Sequence, residues 1–75
     1  MMELSNLKIG KVAIILKLDN DKIIREKLMK LGLIKGAKIV VVRKTIFGGP
    51  IQIKVRNFYL AIRKSEAKKI EVKYD

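Results

Sequence analysis

From Gly36 onward the chain is a succession of short Ile- and Val-rich segments separated by turns, and no other feature constrains its fold as tightly. Lys38 to Lys44 carries Ile39, Val40, Val41 and Val42, apolar on both faces. Ile51, Ile53 and Val55 alternate with Gln52, Lys54 and Arg56, the period of a half-buried strand. Asn57 tolerates positive φ and is expected to turn that strand into Phe58–Arg63, with Leu60 and Ile62 inward. Ser65 is expected to cap one helical turn over Glu66–Lys69, before a last short strand of Ile70, Val72 and Tyr74. Strands this rich in β-branched residues aggregate through open edges, and closing the sheet on itself removes those edges.

The first half supplies one strand and one helix. Leu4 and Leu7, three apart, share the apolar side of a short turn that ends by Gly10. Lys11 to Leu18 reads as a strand with Val12, Ile14, Leu16 and Leu18 on one face. Asp19, Asn20 and Asp21 form a helix-start cluster, whose carboxylates can accept from the unpaired amides of a first turn. The period then changes to 3.6, with Ile24, Leu28 and Leu31 on one stripe and Ile23 beside it, which predicts a helix within Asp21–Leu31. Lys30 and Gly32 close it, and Leu31, Gly32 and Leu33 are expected to serve as helix end and core plug.

Together these elements predict a mostly β fold: a small SH3-like barrel of about five strands, with one α-helix inserted after the first strand and covering an open end. Its expected core is Ile14, Ile24, Leu28, Ile39, Val41, Ile53, Val55, Leu60 and Ile62. Seventy-five residues support one hydrophobic core, so residues 1–75 are expected to form a single domain. Such a core gives no more than about 3–5 kcal/mol of net stability. With 49% apolar residues and no cysteine, the chain must reach that without disulfides.

Composition also narrows the chemistry. Histidine and cysteine are both absent, which removes the commonest general base, the thiolate nucleophile and the usual transition-metal ligands. Ser5, Thr45 and Ser65 have no base to activate them, and no glycine-rich phosphate loop is present. Asp19 and Asp21 are too few for a carboxylate metal site, and helix capping accounts for them. We therefore expect no enzyme, no catalytic residues, no cofactor and no metal site. The longest apolar run, Val12–Leu16, is far short of the roughly 20 residues of a membrane helix. The N-terminus has no basic segment followed by an apolar stretch. Neither membrane insertion nor a signal peptide is expected, and the location expected is cytoplasmic.

Eighteen Lys and Arg against seven Asp and Glu give a net charge of +11, which attracts acidic surfaces but also serves simply to keep a small protein dissolved. Two regions are candidate contact surfaces. The loop Thr45-Ile46-Phe47-Gly48-Gly49-Pro50 sets two bulky apolar residues before two glycines and a proline, on a connection of the kind that carries binding residues. For Phe47 itself the expectation is that it tucks under the barrel while the glycines allow a tight turn. The outward face of the later strands carries Lys54, Arg56 and Arg63, with Tyr59 beside them. An aromatic on a basic face suits single-stranded nucleic acid, although such faces are more often merely solvated.

Several segments in order resemble the FeoA family over almost the whole chain. They are Leu4-Ser5-Asn6-Leu7-Lys8-Ile9-Gly10, Leu28-Met29-Lys30-Leu31-Gly32-Leu33, Gly36-Ala37-Lys38-Ile39, Gly48-Gly49-Pro50-Ile51, and Leu60 through Ala67. Ile9 and Lys35 stand where that family often has proline, and Asn57 where it often has glycine. The resemblance implies an SH3-like barrel in the cytoplasm that assists ferrous iron uptake. It also implies a partner, the FeoB-type transporter with its cytoplasmic GTPase-containing portion. On this reading Ile46, Phe47, Gly48, Gly49, Pro50, Lys54, Arg56 and Arg63 are the candidate contact residues. Family-level transition-metal binding finds little support among these side chains, and self-association stays open. The alternatives are a nucleic-acid-binding small barrel and a stand-alone relative of the SH3-like domain of iron-dependent repressors.

Overall fold

The computed structural model describes residues 2–75. In chain order it contains β1 (Met2–Glu3), a 3-10 turn (Leu4–Asn6), β2 (Val12–Lys17), α1 (Lys22–Lys30) and β3 (Lys38–Lys44). A second 3-10 turn (Ile46–Gly48), β4 (Ile51–Val55), β5 (Phe58–Ile62), α2 (Lys64–Ala67) and β6 (Glu71–Tyr74) complete it. All six strands form one antiparallel sheet in the order β1-β6-β2-β3-β4-β5. The described residues thus hold one strand more than the five expected, because Met2 and Glu3 pair with Val72 and Glu71. The sheet coils around a single cluster that includes Leu4, Leu7, Ile15, Leu28, Leu33, Ile39, Ile53, Ile70 and Val72. Between the outer strands β1 and β5, α2 packs against the Leu4–Asn6 turn and bridges the seam.

Local chemistry explains the helix. Asp21 caps α1 as expected: one carboxylate oxygen accepts from the amides of Ile23 at 2.9 Å and Ile24 at 3.3 Å. Beside it, Asp19 is buried, accepts from the Asp21 amide at 3.0 Å and lies 3.6 Å from the Lys69 ammonium. At the other end Gly32 takes φ +90°, and the amides of Gly32 and Leu33 return to the carbonyls of Met29 and Leu28, both at 3.0 Å. That pairing is a Schellman motif, and it carries Leu33 into the core.

Four local expectations are corrected. In β2 the inward residues are Ala13 and Ile15, so Ile14 is half-buried on the outer face with Leu16, and Val12 is exposed. Val-Ala-Ile-Ile-Leu is apolar on both faces, so period two cannot choose between them. The choice is made by pairing Ala13 with Ile39 and Ile15 with Val72, which places these residues beside buried partners. Leu31 of the expected plug is exposed, whereas Leu33 is buried. The two-residue turn from Val55 to Phe58 puts positive φ on Arg56 (53°) rather than on Asn57. Finally, α2 begins at Lys64 with Arg63 at its N-cap, and Ser65 makes no cap; this phase buries Ala67. Ile24 and Leu60 are half-buried against the core, and the six other core residues expected beside Ile14 are buried.

Candidate functional site

The loop between β3 and β4 is built to stand away from the barrel. Its neck is closed where Pro50 O accepts from Thr45 Oγ1 at 2.7 Å and from the Thr45 amide at 3.3 Å. The two glycines answer different demands. Gly48 has φ +77°, a left-handed conformation that a side chain resists. Gly49 has ordinary φ, but a Cβ there would lie 2.6 Å from Thr45 Cγ2, so the neck closes only around glycine. Between the neck residues, Phe47 adopts φ 64° and ψ 36°, a left-handed conformation that is uncommon for a bulky side chain.

Phe47 does not tuck under the barrel. It is 102% exposed and its neighbour Ile46 is 76% exposed, which corrects the expectation for Phe47. The physical reason lies in the neck: the Thr45–Pro50 bonds tie the chain where β3 ends and β4 begins, so residues 46–49 project beyond it, while the core at that end of the sheet is supplied by the buried pair Ile51 and Ile62. A non-glycine residue held left-handed costs about 1 kcal/mol or more, and here that conformation presents an aromatic ring to solvent.

The structure divides the remaining candidates between two ends of the β4–β5 hairpin. Arg63, which follows β5 and stands at the N-cap of α2, lines a shallow depression of about 530 Å³ with Gly48, Gly49, Pro50, Lys64 and Ser65, so it belongs with the loop. Lys54, Arg56 and Tyr59 lie toward the other end: Lys54 and Tyr59 face each other across β4 and β5, with the ammonium 5.8 Å from the ring centroid. The sequence reading missed Arg43 and Lys44, which line a cleft of about 640 Å³ on the loop's other flank with Ile46, Pro50, Gln52 and Ala61. Their signal was available, since Arg43-Lys44 precedes the loop directly and Arg63-Lys64 follows the strand that returns to it. The site is therefore an apolar tip between two pairs of cations.

Among the described residues no three His, Cys, Asp or Glu side chains gather into a metal-binding group. The Thr45 hydroxyl donates to the Pro50 carbonyl at 2.7 Å, which is no base. The Ser5 hydroxyl, contrary to the expectation from sequence, has one beside it, the Glu3 carboxylate at 2.9 Å, but this pair is exposed. No helix is long and apolar enough to cross a membrane among the described residues.

Comparison with known proteins bears on the identity of this fold and loop. The chain matches the FeoA domain model over residues 2–74. It is 28% identical over 71 residues to the Fe(2+) transport protein A/Fe(2+) transporter FeoB fusion protein of Porphyromonas gingivalis (strain ATCC BAA-308 / W83); the match covers 95% of this chain and 8% of that relative's length. The crystal structure of an iron uptake regulatory protein (FeoA) is 31% identical, with a TM-score of 0.90, covering 99% of this chain and 97% of that one. The zinc-bound FeoA of Stenotrophomonas maltophilia, an SH3 domain protein proposed as a ferrous iron transport activating factor, is 30% identical with a TM-score of 0.82, covering 97% and 91%. This chain has neither His nor Cys, and among its described residues no three Asp or Glu side chains come together. A manganese-dependent transcriptional repressor shares the fold at a TM-score of 0.89 but only 15% identity, covering 97% of this chain and 36% of that one. With an SH3-like barrel and a family match across almost its whole length, the chain belongs to the FeoA family.

Proposed function

We propose that this protein is a cytoplasmic, single-domain accessory factor of ferrous iron uptake, without catalytic activity, that binds and regulates an FeoB-type transporter. The contact is made with the transporter's cytoplasmic, GTPase-containing portion. The observation that carries the reading is Phe47, wholly exposed and held left-handed at the tip of a tied loop. An exposed aromatic on a rigid support is the form of an interface anchor, since little side-chain and loop freedom remains to be lost on binding. Ile46, Gly48, Gly49 and Pro50 shape the tip. Arg63 sits against its base, and Lys54 and Arg56 extend the basic surface toward the far end of the hairpin. Support for the partner comes from the P. gingivalis relative, in which a FeoA-like segment and an FeoB transporter are one chain.

The test is calorimetric titration of this chain with the isolated cytoplasmic portion of an FeoB-type transporter, at low and high salt. An apolar anchor keeps its affinity as salt rises, whereas a polyanion contact weakens steeply through counterion release. Phe47→Ala is expected to cost about 2 kcal/mol in binding. Substitution of Arg63 or Lys54 is expected mainly to slow association. A folded Phe47→Ala protein with unchanged affinity would remove the loop from the interface.

A further inference from the structure

The outer face of β2 meets α1 in an open cleft of about 620 Å³, far from the loop. Its floor is apolar: Leu16 of β2 and Leu18, just past the strand's end, line it with Met29 of α1, which is 48% exposed. Its rim is cationic, with Lys17, Arg25 and Lys35 against the single carboxylate of Glu71. Arg25 and Met29 are four apart and so share one side of α1. Arg25 Nη1 reaches the Asn20 carbonyl at 3.5 Å, which holds the guanidinium at the margin.

We propose that this cleft is a second docking site, for a segment of a partner protein in which large apolar side chains are bracketed by carboxylates. Charge complementarity is the argument. The ion pairs among the described residues join Lys27 to Glu66, Lys38 to Asp75 and Lys69 to Asp19, so all three rim cations are left without a salt-bridge partner. An incoming carboxylate would meet rim cations that form no salt bridge, Arg25 and Lys35 foremost because Lys17 stands opposite Glu71 in the β2–β6 register, while an apolar neighbour would cover Leu16, Leu18 and Met29. Methionine adapts its shape to such an insertion. The cleft is open, so it suits a protruding side chain rather than a small molecule that must be enclosed.

A second copy of this chain is a poor occupant. Its most exposed apolar element is the Ile46–Phe47 tip, which arrives between Arg43, Lys44, Arg63 and Lys64 and would set like charges against the rim. The cleft lies beyond the first residue of β3 and the loop beyond its last, about 23 Å apart at ~3.3 Å per residue. The two sites are therefore separate surfaces, and a partner long enough to reach both would gain from joining two weak contacts in one chain. This second site does not depend on the assignment of the loop.

The probe is a blocked synthetic peptide with a leucine pair flanked by glutamates, beside its counterpart with glutamines, titrated into the full ¹⁵N-labelled chain. Saturable amide shifts are expected at Leu16, Leu18, Arg25 and Met29. Binding should weaken about tenfold or more with the glutamine peptide, and likewise in the Arg25→Glu and Lys35→Glu variants, while Phe47→Ala binds normally. Lys35 lies in an exposed turn, so its variant keeps the test valid if Arg25→Glu disturbs α1. Shifts scattered over the lysines and lost in about 0.5 M salt would reveal general polyanion attraction and overturn the proposal. Shifts confined to residues 46–50 would overturn it too, as would dimers in sedimentation that Arg25→Glu abolishes.

Discussion

Two stretches of this chain set bulky apolar residues beside a left-handed glycine, and they deliver those residues to opposite places. At Leu31-Gly32-Leu33, Gly32 at φ +90° folds the chain back over the last turn of α1, and Leu33 ends fully buried. At Phe47-Gly48, Gly48 at φ +77° belongs to a projecting loop, and Phe47 ends fully exposed. The glycine conformation is nearly the same in both. What differs is the bonding around it: the amides of residues 32 and 33 return to carbonyls of the helix, while the loop is tied only at its neck by Thr45 and Pro50. A glycine beside apolar residues therefore reports a chain reversal, and the surrounding hydrogen bonds decide whether the reversal points inward or outward.

The sharpest contrast should come from truncating each apolar residue. Leu33→Ala is expected to lower unfolding stability by about 3 kcal/mol, measured by denaturant titration, because it opens a cavity beneath α1. A loss below about 1 kcal/mol would mean that the helix end is not part of the core. Phe47→Ala should leave stability within about 0.5 kcal/mol of the parent while weakening transporter binding by about 2 kcal/mol. If Phe47→Ala instead destabilises the fold as Leu33→Ala does, the loop is packed and the comparison fails.

Smaller effects separate the reasons for each glycine. Gly49→Ala should cost on the order of 1–2 kcal/mol, because the added carbon meets Thr45 Cγ2 at 2.6 Å and Thr45 is itself bonded to Pro50. Phe47→Gly should raise stability by up to about 1 kcal/mol in the same denaturant assay, since glycine occupies that φ without a Cβ penalty. The smallest expected signal concerns metal. Calorimetric titration of the monomer with Fe²⁺ or Zn²⁺ should show no saturable one-to-one site in the micromolar range, given the absence of His and Cys.

Much of the candidate site was legible as a segment before its geometry was known. Residues 46–50 stood out because Gly-Gly-Pro between two Ile/Val strands forces a connection, and connections lie on surfaces. The exposure of Phe47 was not legible, because an aromatic beside a tight turn fits a core as well as an interface. Grouping Arg63 with the loop, and apart from Lys54 and Arg56, also needed the hairpin register, which returns β5 to the loop end of β4. Arg43 and Lys44 look like the end of a strand in sequence and become the flank of a cleft only once β4 and β5 lie beside them.

By itself the sequence determined the local elements whose signals lie within a few residues. Asp21 as helix cap, the Gly32 stop, the span Lys38–Lys44 and the inward set Ile51, Ile53 and Val55 all follow from capping chemistry and period-two burial. It also determined what chemistry is missing, since a chain without His or Cys cannot recover those groups by folding. Only the tertiary structure decided which face of β2 is inside, that Met2 and Glu3 form a strand with β6, and that the Leu16–Met29 cleft exists. Each of these depends on pairing residues far apart in the chain, where a segment apolar on both faces has no preferred side until its partner strand arrives.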